Sequence, residues 1–148
     1  MPKTTHGKTK TSEYTAWEGL IQRCTNKSHK YYQSYGGRGI TVCGRWANFE
    51  NFYKDMGAKP DKQHTIERVN NDKGYSKNNC VWATQIAQAR NRRTRTDNTS
   101  GTPGIYWEKR TRKWQVQICA ATKRISLGCY KHFADAISAR EKGELTYW

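Results

Sequence analysis

The chain has 148 residues, enough for one domain of ordinary size or two small ones. Only 34% of it is hydrophobic but 12% is aromatic, so any core is small and built on rings, and a net charge of +15 points to a polyanionic partner, nucleic acid ahead of a membrane surface. No stretch approaches the roughly 20 apolar residues of a transmembrane helix, and five cysteines without a C-x-x-C pair exclude a disulfide framework or a zinc knuckle.

Taken in chain order, residues 1–10 are polar and basic and read as an arm. They carry no apolar stretch of the kind a secretory signal needs, which with the unpaired cysteines gives a cytoplasmic expectation. From Thr11 a helix is predicted, with Thr11 as N-cap and Tyr14, Trp17, Ile21 and Cys24 at helical spacing. Residues 31–39, YYQSYGGRG, form a Gly-rich loop, and Ile40–Cys43 reads as a short strand. A second helix follows Asn48 and stops at Gly57, with Phe49, Phe52, Tyr53 and Met56 as its core stripe. Thr65–Val69 and Val81–Thr84 read as strands around an Asn70–Gly74 turn, and Gln85–Arg93 as a helix, which makes a ββα unit. The aperiodic RRTRTDNTSG of residues 92–101 is a basic linker and sets the domain boundary, 1–95 against 96–148. Beyond it come three alternating strands, Gly104–Trp107, Trp114–Ala120 and Arg124–Tyr130, and a closing helix, Phe133–Lys142.

The segment TIERVNNDKGYSKNNCVWATQIAQARNRR, residues 65–93, together with YGGRGITVCGRWANFENFYKDMG upstream, resembles the HNH (His-Me finger) endonucleases common in phages. The resemblance covers roughly residues 6–93. It implies a ββα-metal domain with preceding helices that hydrolyses DNA phosphodiester bonds with one Mg²⁺, or another divalent cation such as Mn²⁺, held against the scissile phosphate. Glu67 matches the acidic ligand. The helical ligand falls on Gln88, nine residues after Asn79, with Asn91 one turn further on as the second candidate. Asn79 matches the Asn that ties the ββ loop together. Where the family has its general-base His, this chain has Arg68. A guanidinium takes no proton from water, but it can clamp a phosphate oxygen. The base is then His6, His64 (on the face of Arg68, roughly 13 Å along the strand) or bulk water. Arg38 in the Gly-rich loop and Arg90, Arg92 and Arg93 after it are candidate phosphate contacts.

Residues 104–140, GIYWEKRTRKWQVQICAATKRISLGCYKHFADAISAR, resemble the ethylene-response-factor type of DNA-binding domain, also found fused to phage HNH nucleases. This implies a three-stranded antiparallel sheet packed on one helix, with its other face in the major groove. Alternation puts Ile105, Trp107, Trp114, Val116, Ile118, Ile125 and Leu127 toward the helix. Tyr106, Glu108, Gln115, Gln117, Arg124 and Ser126 then face outward, with Arg110 and Arg112 at the hairpin tip. The expectation is a two-domain α+β homing-type endonuclease on double-stranded DNA, phage-encoded and acting in a bacterial cytoplasm. A monomer is the simplest state, and a DNA-binding regulator built from the same parts is the rival.

Overall fold

The computed structural model describes residues 7–148, mixed helix and sheet. His6 lies outside the described residues. The chain splits into two compact units, Met1–Arg92 and Arg93–Trp148, three residues ahead of the expected boundary. No described helix is long and apolar enough to cross a membrane.

In the first unit α1 spans Ser12–Thr25, capped by Thr11, whose hydroxyl accepts from the Tyr14 N–H at 3.3 Å. The sequence stripe of Tyr14, Trp17, Ile21 and Cys24 packs against the core, but the fully buried residue of α1 is Leu20, which that stripe leaves out. α2, Phe49–Met56, begins at the Asn48 cap and ends at Gly57, whose φ of 68° lies in the left-handed region glycine tolerates. Phe49 and Phe52 from α2 join Leu20, Ile40, Trp46, Tyr75 and Cys80 in the buried core. Rings here meet edge to face, as Trp46 and Phe52 do at 4.9 Å. Each indole N–H finds an acceptor: Trp17 on the Trp46 carbonyl at 2.7 Å, Trp46 on Asp55 at 2.9 Å, Trp82 on the Met56 carbonyl at 3.0 Å. These bonds remove the cost of burying the ring nitrogens.

β1, His64–Arg68, pairs antiparallel with β2, Cys80–Thr84, with Glu67 opposite Val81 and Arg68 opposite Cys80. α3 follows directly as Gln85–Arg90, capped by Thr84. It is three residues shorter than expected, and Asn91 is its C-cap. Ile40–Cys43 is no strand but makes one isolated bridge, Val42 to Tyr75. Only two backbone bonds hold it there, Cys43 N–H to the Tyr75 carbonyl and Tyr75 N–H to the Thr41 carbonyl. Gly74 makes that approach possible, since a Cβ would lie 2.5 Å from the Thr41 oxygen.

In the second unit β3 (Ile105–Glu108), β4 (Lys113–Ala120) and β5 (Lys123–Tyr130) form an antiparallel sheet in that order, packed on α4, Phe133–Tyr147. The helix runs five residues past the expected end. Ile105, Val116, Ile118 and Ala136 are buried, with Trp114, Leu127, Tyr130, Phe133 and Ile137 around the core. Trp107 departs from its expected core position. It sits on the edge strand, 41% exposed, with its ring edge-on to Trp114 at 5.0 Å. A bulge between Val116 and Gln117 lets β5 shift register, so Ser126 faces Gln117 while Gly128 faces Val116. Gly143 in α4 gives Leu127 room, because a Cβ there would overlap the leucine methyl.

Candidate metal and phosphate site

The end of the ββ hairpin is locked by one side chain. Asn79 is 7% exposed; its Oδ1 accepts from the Asn70 N–H at 2.9 Å, and its Nδ2 donates to the carbonyls of Asn70 at 3.1 Å and Gly74 at 2.9 Å. The Val69 N–H bonds the Asn79 carbonyl at 2.8 Å. Residues 69–74 are thus held as a closed loop, and β1 delivers Glu67 and Arg68 from a fixed base.

Glu67 meets the end of α3. Asn91 Nδ2 donates to Glu67 Oε1 at 2.8 Å and to the Arg68 carbonyl at 2.7 Å. The Asn91 carbonyl in turn accepts from the Asn71 amide at 2.5 Å, which pins the cap to the loop. Gln88, the first candidate for the helical ligand, makes no hydrogen bond to Glu67 among those described. Its amide is spent on the Thr65 hydroxyl and on the Ala83 carbonyl at 3.3 Å, one strand-face position short of the carboxylate. The reason is helical rise: Gln88 lies one turn nearer the β2 end of α3, and only Asn91 reaches the level of Glu67. The donor set fits a hard divalent cation that binds through one carboxylate and keeps water and substrate oxygens as its other ligands. Glu67 and Asn91 would hold it. No described cluster of three His, Cys, Asp or Glu side chains suggests a softer, all-protein metal cage.

Arg68 is 6% exposed and donates from Nη1 to the Lys73 carbonyl at 3.0 Å. Its guanidinium carbon stands 5.2 Å from the Tyr35 ring centre and 5.1 Å from that of Tyr75. Those two rings are stacked at 6.4 Å. Burial holds the Tyr75 phenol well above its usual range, so it stays protonated. Burial also pushes the Cys80 thiol, opposite Arg68, up to about 11. Arg68, Glu67 and Gln88 line one pocket of about 630 Å³ between α1 and the hairpin.

The other expected residues fall elsewhere. His64 does not line this pocket; its Nδ1 pairs with Asp61 at 2.7 Å, which holds the aspartate below its usual range. Arg38 is not a free phosphate contact, because Nη2 pairs with Asp72 at 2.9 Å and Nη1 bonds the Ser34 carbonyl. Arg90 closes α3, while Arg92 and Arg93 are exposed at the junction of the two units. In the second unit Tyr106 bonds Gln115 side chain to side chain at 2.6 Å. Glu108 caps the hairpin turn, its carboxylate accepting from the Arg110 N–H at 3.1 Å. Arg112 takes a left-handed φ of 52° in that turn, and Arg110 and Arg124 are exposed. Gln117 and Ser126 face each other across β4 and β5.

One pocket residue went unread in the sequence: Arg23, in the last turn of α1. Its signal is a helical stripe of small side chains, Ser12, Ala16 and Gly19, that ends in Arg23; all four line the pocket. Comparison with known proteins yields no match to a protein-family model, a curated protein or a solved structure.

Proposed function

We propose that the chain is a divalent-metal-dependent DNA endonuclease of the HNH kind, with the second unit as an additional DNA contact. The observation that supports this most is the meeting of Glu67 and Asn91 at 2.8 Å at the end of a locked hairpin, with Glu67 and the buried Arg68 lining one pocket. Carboxylate and amide would hold Mg²⁺, which when bound supplies charge for the leaving 3′ oxygen. Arg68 stays charged and offers its remaining N–H groups to a phosphate oxygen. Its hydrogen bond to the Lys73 carbonyl and the tyrosine rings hold the guanidinium in place, so no reorganisation is needed when charge develops. Arg68 takes no proton and His64 is engaged by Asp61, so among described residues no histidine serves as base at this pocket. The proton of the attacking water then goes to bulk water or to His6, which lies outside the described residues.

The outward sheet face of the second unit, with Gln115, Gln117, Arg124 and Ser126, suits the edges of bases in the major groove. The rival reading, a regulator that binds DNA without cutting it, draws on Arg68 standing where a base is needed.

Incubating supercoiled plasmid with the full chain and Mg²⁺, with EDTA as control, separates the two. Glu67→Gln is expected to lower cleavage by a factor of about 100 or more, at nearly unchanged DNA affinity, because it removes the one charged ligand. A wild-type chain that binds plasmid and never nicks it establishes the regulator.

A further inference from the structure

Two arginines share one aromatic platform. Arg23 comes from α1 and Arg68 from β1, far apart in sequence. The Arg23 guanidinium carbon lies 5.0 Å from the Tyr35 ring centre and 5.4 Å from that of Tyr75, the same stacked pair that Arg68 covers. Both line the same pocket. Neither has a carboxylate partner among the described residues. The Arg23 Nε–H is buried with no hydrogen-bond acceptor.

That arrangement is costly in isolation. Two like charges near one another repel, and a buried unbonded donor loses the water bond it had when unfolded. Cation–π contact offsets only part of this, at about 1–2 kcal/mol per pair. Lys59 also lines the pocket, against the single carboxylate of Glu67, so its walls carry an excess of two positive charges. Two guanidiniums on common rings, without a carboxylate partner and on walls of net positive charge, call for an anion whose oxygens accept from both.

We infer that Arg23 and Arg68 form one anion site on the Tyr35–Tyr75 platform, and that the site takes a single phosphate group. A phosphate presents several oxygens and accepts from planar N–H forks on more than one side, which matches two guanidiniums held on common rings. Arg23 touches that phosphate directly. For DNA, where the group is the scissile phosphodiester, the inference rests on the nuclease reading above; the anion site itself rests on the pocket.

Inorganic phosphate is the probe, titrated into the full chain in EDTA at constant ionic strength. Thermal unfolding and ³¹P line broadening are the readouts. Wild type is expected to be stabilised by phosphate beyond matched chloride. Arg23→Gln and Arg68→Gln should each weaken that binding about tenfold to a hundredfold, the loss of one or two charge-assisted hydrogen bonds. Lys27→Gln, an exposed charge just beyond α1, should leave it unchanged. Should Arg23→Gln fail to fold, Arg23→Lys decides, because it keeps charge and stem but lacks the planar N–H fork; it is expected to bind at least about fivefold more weakly. Wild-type affinity in Arg23→Lys, or a loss in Lys27→Gln as large as in Arg23→Gln, overturns the site. Phosphate binding without plasmid cleavage keeps the anion site and removes the nuclease reading. Cleavage with no response to phosphate does the reverse.

Discussion

At the scale of single residues, the helical partner of Glu67 is the point where spacing and geometry part. Counting from Asn79 favours Gln88, but Gln88 bonds Thr65 and the amide beside the carboxylate is that of Asn91. The two assignments give opposite outcomes. Asn91→Ala is expected to raise the Mg²⁺ concentration for half-maximal cleavage by about tenfold and to lower the maximal rate, since it removes a ligand. Gln88→Ala should leave the Mg²⁺ dependence alone and cost only local stability, about 1 kcal/mol for a lost hydrogen bond. A metal titration of cleavage for both variants checks this, and an unchanged titration in Asn91→Ala returns the role to Gln88. Glu67, Arg68 and Asn79 were legible because each stands at a fixed offset within one short motif. Arg23 was not, because its meaning depends on α1 and β1 lining one pocket, which brings residues 45 apart in sequence onto the same rings. Tyr75 likewise carried no signal in the sequence; the close approach of Gly74 to Thr41 places it in the core.

At the scale of elements, the hairpin depends on its loop more than on its ladder. β1 and β2 are five residues each, and a two-stranded pair of that length is marginal in water. Asn79 supplies what the ladder lacks, three side-chain hydrogen bonds closing residues 70–74. Asn79→Ala should therefore destabilise the first unit by about 1–3 kcal/mol, since it removes a buried side chain that bonds the Asn70 N–H and two carbonyls. Urea unfolding followed by tryptophan fluorescence measures it; a loss below about 0.5 kcal/mol would show that water replaces the side chain. Element identity was mostly legible here, because caps such as Thr11, Asn48 and Thr84 bracket clear stripes. What failed was tertiary. Ile40–Cys43 has strand composition but only a bridge for a partner, and β-propensity without a neighbouring strand makes no sheet. α3 stops early because Asn91 turns its side chain to β1 rather than continuing the helix.

At the scale of the whole molecule, charge and surface chemistry divide between the units. Residues 97–148 hold 9 basic and 5 acidic side chains, a net +4, against +11 for residues 1–96. Phosphate neutralisation scales with the number of cations, so the first unit should supply most non-specific affinity and most of its salt dependence. The second unit shows an outward sheet face of amides, hydroxyls and one exposed guanidinium, Arg124, groups that read base edges better than they accumulate phosphate. Tyr106 already holds the Gln115 side chain and Glu108 caps the hairpin turn, so Gln117, Arg124 and Ser126 are the side chains left to read sequence. Each direct base contact contributes about 1–3 kcal/mol of discrimination. A chain ending at Thr96 should bind random duplex at low salt nearly as well as the full chain, yet lose its preference for a selected site. Arg124→Ala in the full chain should relax that preference by about tenfold while changing the slope of log affinity against log salt by less than about one. Competition between selected and random duplex at two salt concentrations reads both quantities. Full preference in the truncated chain would assign the reading to the first unit and leave the sheet face of the second as solvated surface.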